Sequence, residues 1–397
     1  MISKNITKFY FYRIFTSFNL VLPIFVLFLI NNGLSLTQVF VLQSVYTLTL
    51  VILNIPTGAF ADRYGRKKSL IISSFVLLTA FFVYGSSTRF WHFLIAEILY
   101  GISTAFWLSQ GTSFIYDTLK QIGDEHKYKR VQGKVETINS LGMCLGSLIA
   151  GVIAAYSMRW NYYIGMIPVF IGLLISFSFR ETRIQQSKEK YFEKIRNAFD
   201  YAVKHPQLRF FMLFSSIVDL IMFTGFIFAQ PYLESLGADT KIIGAVFSVC
   251  YILTAVGAYK ANWLEGKIKE IFSIYLVISL VALTMFIYYL TNSLAVASFA
   301  MILGGAVRGF YIVVIYDYLH RHMTSERRST LMSLQLFMGD TMIAVLSPFF
   351  GWFADLYSIK ATLLLCSGIL ALFMFAMFFI YPLEMKIIGR KRYHETG

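Results

Sequence analysis

Twelve apolar stretches alternate along the chain with shorter polar ones, at about 9–30, 37–57, 69–87, 91–116, 132–156, 161–179, 208–231, 240–259, 271–291, 294–318, 329–354 and 361–381. A helix needs ~20 apolar residues to cross ~30 Å of hydrocarbon, so each stretch has the length of a membrane span. A bilayer core admits only helices or closed barrels, and runs of this length are helical, so the pattern predicts an all-α membrane protein of twelve helices. One long polar segment, 180–207, divides the spans six and six. It predicts an N-terminal bundle over 1–179, a cytoplasmic linker over 180–207, and a C-terminal bundle with a short cytoplasmic tail over 208–397. Within the linker Tyr191, Ile195, Ala198, Phe199 and Ala202 recur at helical spacing among Lys and Glu, as in an amphipathic helix lying on the membrane surface. A flexible charged linker is the alternative.

Composition agrees. The chain is 57% hydrophobic and 14% charged, with mean hydropathy +0.64, whereas soluble domains carry roughly a quarter charged residues. The net charge of +14 raises the question of nucleic acid, and the placement of the 35 Lys and Arg answers it. With the N-terminus inside, cytoplasmic segments hold 29 of them, while the outer loops hold only Arg89, Arg159, Lys241 and Lys360. Arg13 and Arg308 fall within spans. This is the positive-inside asymmetry, which places both termini in the cytoplasm of a multi-pass cell-membrane (inner-membrane) protein and accounts for the basic balance without nucleic acid. The first apolar run is too long for a cleaved signal and lacks a small-residue cleavage site. Cys144, Cys250 and Cys366 all lie in spans without metal-ligand spacing, so no metal and no cofactor is implied.

The two halves repeat. At an offset of 200, Tyr116, Asp117 and Leu119 return as Tyr316, Asp317 and Leu319, and Ser147 and Gly151 as Ser347 and Gly351. At an offset of 199, Gly58, Ala59 and Phe60 are echoed by Gly257, Ala258 and Tyr259. The repetition predicts a duplicated six-helix unit, hence two pseudo-symmetric bundles.

Between the second and third spans stands GAFADRYGRKK, residues 58–68. It resembles the signature loop G-x-x-x-D-R-x-G-R-K of the major facilitator superfamily of secondary transporters, through Gly58, Asp62, Arg63, Gly65, Arg66 and Lys67. Gly58 would let helices approach, Gly65 would permit a tight turn, and Asp62 with the basic cluster would bond neighbouring helix ends. The resemblance implies a conformational latch in which Arg66 pairs with Asp117 at the cytoplasmic end of the fourth helix, while the cavity faces outward. The alternative is a basic loop that anchors in anionic lipid. In the second copy Ala261 stands where Asp62 does, so any latch belongs to the N-terminal half. A second resemblance, to the fifth-helix pattern of the drug:proton antiporters, rests on Gly133, Gly142, Gly146 and Gly151, with Ser147 and Ala150 departing from it. Ordinary small-residue helix packing explains the same glycines.

Ionisable groups in the hydrocarbon cost roughly 2.5–3.5 kcal/mol each on insertion scales and are functional candidates. Spans 3, 6, 9 and 12 carry none in their cores, as lipid-facing helices should. The deep acids are Glu97, Asp219 and Asp340, against a single deep base, Arg308. Asp219 or Asp340 is the candidate proton carrier, with Arg308 as its charge partner and Glu97 nearer the outer mouth. A permanent structural salt bridge is the other reading. Asp117, Asp317, Glu136 and Arg13 lie near the cytoplasmic boundary, where pairing and snorkelling suffice. The resemblance implies a monomeric, lipid-embedded transporter of a small-molecule substrate driven by protons. The leading expectation is export of amphiphilic organic compounds by antiport, and the alternative is nutrient import by symport. No H-E-x-x-H, G-x-S-x-G or phosphate-loop pattern appears, which leaves an enzyme or a receptor as a remote reading.

Overall fold

The computed structural model describes residues 2–182, 199–268, 270–321 and 328–395. Its helices are Lys4–Thr16 and Phe25–Asn31 (span 1), Leu36–Tyr64 (span 2), Arg66–Ser86 (span 3), Phe90–Gln121 (span 4), Tyr128–Ala154 (span 5) and Met158–Phe177 (span 6). Spans 7 to 12 are Pro206–Ser235, Thr240–Glu265, Glu270–Leu290, Leu294–Arg321, Arg328–Leu356 and Ile359–Glu395. Among the described residues eleven helices are long and apolar enough to cross a membrane. The twelfth, predicted as one helix over 9–30, is instead broken.

The break has a physical cause. Asn19 accepts the backbone N–H groups of Val21 and Leu22 with its own side chain, at 3.0 and 2.9 Å, and Pro23 has no N–H to continue a ladder. The two pieces still traverse the bundle. Near the start of the chain Asn5 exchanges hydrogen bonds with the backbone of Arg180, at 2.8 and 3.0 Å. At the other end of span 6, Arg159 donates to the carbonyls of Gly85 and Ser87 and to the Asn32 side chain, at 2.7–2.8 Å. The side carrying the 31–36 and 155–158 turns is termed distal below, since it lies opposite the start of the chain.

The chain divides into two compact units that do not follow the sequence halves. One unit holds residues 1–188 with 229–252 and 344–355, so the distal ends of spans 7, 8 and 11 belong with the N-terminal spans. The other holds 189–228, 253–343 and 356–397. In the first unit the core near the start of the chain is aromatic: Phe9, Tyr12, Phe114 and Phe179 pack with ring centroids 4.9–6.2 Å apart. In the second, Gly257 meets Ala306 and Gly309 meets Thr254 at backbone contact, which binds spans 8 and 10 closely. Spans 3, 6, 9 and 12 turn Phe82, Phe170, Phe272 and Leu372 outward, as apolar solvent requires. Of the predicted surface helix, Tyr191, Ile195 and Ala198 lie outside the described residues; Phe199 is exposed and Ala202 buried in a helical turn over 199–204.

Candidate functional site

The signature loop is built around Gly65. This residue ends span 2 at φ 109°, ψ 150°, a conformation open essentially to glycine, and a side chain there would collide with the Glu181 carboxyl. Glu181 in turn accepts the Lys67 backbone N–H at 3.2 Å. Arg66, the first residue of span 3, is ion-paired through Nε to Asp117 of span 4 and donates through Nη1 to Gln110 at 2.8 Å. Arg63 lies over the Tyr64 ring. Asp62 is exposed and has no polar partner among the described residues. Gly58 faces open space, so it is not the close-approach position expected from the motif. In the second half Arg321 bridges Asp317 and Glu265, at 2.5 and 3.1 Å, so the acid repeated from Asp117 finds a base on its own helix.

The fifth-span glycines separate into two kinds. Nothing lies within 4 Å of a Cβ at Gly133, whereas one at Gly146 would stand 2.8 Å from both the backbone N and O of Asn19, and one at Gly142 would meet Ser17. Gly142 and Gly146 are thus the cradle of the span 1 break. Two buried amides complete it: Asn161 donates to the carbonyls of Leu20 and Ala150, and Gln230 accepts from Val26 N–H while donating to Leu22 O, all at 2.7–2.9 Å. Every buried backbone group must find such a partner where no water enters. Arg13 does not snorkel to solvent. It is buried, stacked 4.4 Å over Trp107 and bonded to Asn139, with no carboxylate at ion-pair distance among the described residues.

Distal to the break, Gly151 packs against Gly244, whose added Cβ would stand 2.9 Å from Gly151 Cα, and Thr240 donates to Gly151 O at 3.0 Å. Level with the break, between Gly142 and Gly146, Cys144 meets Ser248 at 3.0 Å. Span 11 repeats the device against span 2: Ser347 meets Ser44 at 3.1 Å, and a Cβ at Gly351 would lie 2.8 Å from Leu36 O. The duplicated Ser-x-x-x-Gly of spans 5 and 11 therefore serves one purpose twice, joining span 5 to span 8 and span 11 to span 2.

The deep charges fall in two places. Glu97, 1% exposed, accepts from Gln43 Nε2 at 2.7 Å and is ringed by Tyr84, Tyr100 and Tyr162, with no basic side chain at ion-pair distance among the described residues. It is enclosed among spans 2, 3, 4 and 6. In the second unit Asp219 and Asp340 are half-buried electrostatic neighbours. Asp219 reaches past Gly339, where an added Cβ would lie 3.9 Å from its Oδ2. Tyr311 lies beside Asp219 and donates to Ser215 O at 3.1 Å, while Ser215 Oγ accepts from Gln335 at 2.9 Å. Arg308 is exposed and acts on Asp219 through its charge, without an ion pair to either acid among the described residues.

Sequence reading brought forward the loop, the glycines and the deep acids, but missed Asn19, Asn161, Gln230 and Asp355. The amides carried a signal, since a carboxamide inside an apolar run needs partners. Asp355 carried a stronger one. Gly351, Phe353, Ala354, Asp355, Tyr357 and Lys360 match Gly58, Phe60, Ala61, Asp62, Tyr64 and Lys67 in the same order and spacing.

Comparison with known proteins agrees with this architecture. The family model described as Major Facilitator Superfamily matches residues 13–345. The sialic acid transporter NanX of Escherichia coli (strain K12) is 24% identical over 328 residues, 77% of this chain and 76% of its own length. The uncharacterized MFS-type transporter YxaM of Bacillus subtilis (strain 168) is 24% identical over 386 residues, 92% of both chains. Among solved structures, the nucleoside transporter NupG has a TM-score of 0.79 at 15% identity, covering 96% of this chain and 100% of that one. The D-xylose-proton symporter has a TM-score of 0.68 at 14% identity, covering 94% and 97%. The protein is thus a multi-pass membrane transporter of a small-molecule substrate and not an enzyme. The chain belongs to the major facilitator superfamily.

Proposed function

We propose that this transporter is a proton-coupled importer of a small, polar, hydroxylated solute, acting as a single copy in the cytoplasmic membrane. The observation that carries the proposal is the Asp219–Asp340 pair, half-buried electrostatic neighbours without an ion-paired base among the described residues. Two neighbouring carboxylates in poor solvent repel, and binding one proton relieves that repulsion. A site that gains from one proton and lies deep in spans 7 and 11 suits a carrier that loads on one side and unloads on the other. Arg308, close enough to act on Asp219 through its field but not to pair with it, is free to favour release. Glu97, held by Gln43, is the polar counterpart in the N-terminal spans.

Import of a polar solute draws support from the relatives, whose names are those of sialic acid, nucleoside and xylose–proton transporters. Export of amphiphilic compounds, as by the drug:proton antiporters, drew on the fifth-span glycines. Three of them have a packing role: Gly142 and Gly146 cradle the span 1 break and Gly151 meets span 8, while Gly133 faces open space. The signature loop, with Asp62, Arg63 and Lys67 around the Arg66–Asp117 pair, remains the candidate conformational latch. Both members of the pair belong to the N-terminal spans, and they are bonded here while the distal ends of spans 7, 8 and 11 are packed on those same spans.

Reconstituted vesicles with an imposed pH gradient test the direction. The importer accumulates labelled nucleoside, pentose or acidic sugar together with inward protons. Outward flux of an amphiphile driven by inward protons would reinstate export.

A further inference from the structure

The N-terminus of span 2 is completed by a side chain far away in sequence. A helix begins with backbone N–H groups that have no partner inside it. Here Ser35 and Gln38 form a capping box, Ser35 N–H to Gln38 Oε1 at 3.0 Å and Gln38 N–H to Ser35 Oγ at 3.2 Å. Two donors remain between them. Asp355, at the distal end of span 11, takes both: Oδ1 accepts Leu36 N–H at 3.0 Å and Oδ2 accepts Thr37 N–H at 2.7 Å. The Thr37 hydroxyl adds a third bond to the same carboxylate, at 2.5 Å. A carboxylate is the chemistry that this position favours, since the helix dipole adds to the hydrogen bonds.

The register of span 11 shows that the contact belongs to the distal seam. Ser347, Gly351 and Asp355 recur every fourth residue and so share one helix face; Ser347 meets Ser44, Gly351 meets Leu36 and Phe40, and Asp355 meets Leu36 and Thr37. In span 5 the equivalent face carries Ser147 and Gly151 but ends in Ala155, with no acid. The cap is therefore present in only one of the two pseudo-symmetric seams. The acid in the matching place of the cytoplasmic signature loop, Asp62, has no polar partner among the described residues while Asp355 has three.

We propose that Asp355 is the positioning residue that holds the distal side of the transporter shut: its carboxylate stays on the span 2 N-terminus while that side is closed and leaves it when the side opens. Opening separates Leu36 and Thr37 from their acceptor, so losing the carboxylate removes a cost of opening and shifts the population toward the distally open state. The idea rests on the transporter reading but not on which solute is moved or on proton coupling.

Cys144, buried against Ser248 in the other seam, between spans 5 and 8, is a native reporter, since opening of the distal side parts both seams. With Cys250 and Cys366 changed to serine, labelling by a membrane-impermeant maleimide added outside intact cells reads opening without any flux. Asp355→Ala should raise the rate about two- to thirtyfold, the factor that corresponds to loss of a helix cap, and Asp355→Glu, which keeps the carboxylate, should bring it back toward the parent. Should the alanine variant fail to reach the membrane, Thr37→Val, which deletes only the third bond, should give a smaller rise. An unchanged rate in a membrane-inserted Asp355→Ala or Thr37→Val protein, or a rise in Asp355→Glu as large as that in Asp355→Ala, overturns the proposal. Absence of pH-driven uptake by the parent, with labelling as expected, would count against proton symport alone.

Discussion

Alanine at Gly146 and at Gly133 adds the same methyl group to the same helix, yet the two sites should respond differently. In a helix interior alanine is favoured over glycine by ~0.8–1 kcal/mol, and that gain is common to both and cancels in the comparison. What remains is space. At Gly133 the new Cβ meets nothing within 4 Å, but at Gly146 it would stand 2.8 Å from the backbone N and O of Asn19. Those atoms cannot rotate away, because Asn19 anchors the break of span 1 through Val21 and Leu22. Overpacking of this kind costs ~1–3 kcal/mol, so Gly146→Ala should be less stable than Gly133→Ala by about that amount. At the entropy of unfolding expected for ~400 residues, this separates their melting temperatures by about 1–4 °C, readable by thermal unfolding of the purified protein in detergent. Equal shifts in the two variants would show that span 5 does not press on the broken helix, and the packing account of these glycines would fall.

Gly65→Ala should destabilise by ~1–3 kcal/mol from backbone strain alone, with the Glu181 contact adding to it, and a thermal melt checks this; a neutral outcome would mean that the loop does not hold φ 109°. Asp117→Ala leaves Arg66 with Gln110 as its remaining partner and should cost ~1.5–3 kcal/mol, measured the same way, with Asp117→Glu recovering part of the loss. Gln230→Leu removes the acceptor of Val26 N–H and the donor to Leu22 O, and should lower the melting temperature while leaving Glu97 and its partner Gln43 in place.

Much of the architecture was legible because lipid leaves a chain few choices. Apolar runs of ~20 residues, the clustering of Lys and Arg, and the repeat of Tyr116, Asp117 and Leu119 as Tyr316, Asp317 and Leu319 give the spans and their duplication without tertiary information. The partner of Arg66 was also legible, through the resemblance of residues 58–68 to the signature loop, which implies an acid at the end of the fourth helix where Asp117 stands. The break in span 1 was not, since hydropathy averages over Ser17, Asn19 and Pro23 as over any three residues in an apolar run. Only the cradle of Gly142, Gly146, Asn161 and Gln230 shows why a break is tolerated there. Arg308 was legible only in part: it acts on Asp219 through its charge, but depth along a helix says nothing of the face on which a side chain emerges, and it forms no ion pair with Asp219 or Asp340 among the described residues. Asp355 was readable in principle, from its echo of Asp62, but the echo crosses between the two sides of the membrane, where a direct repeat of the halves does not look for it.

The central claim, that the Asp219–Asp340 pair carries the coupling proton, is tested most directly by uptake into vesicles with and without an imposed pH gradient, comparing the parent with Asp219→Asn and Asp340→Asn. The parent should accumulate a hydroxylated solute only when the outside is acidic. Each asparagine variant should still exchange labelled for unlabelled solute down a gradient, because binding is retained, but should lose accumulation driven by pH. If both variants go on concentrating solute with the pH dependence of the parent, the proton travels by another route and the account is wrong at its centre.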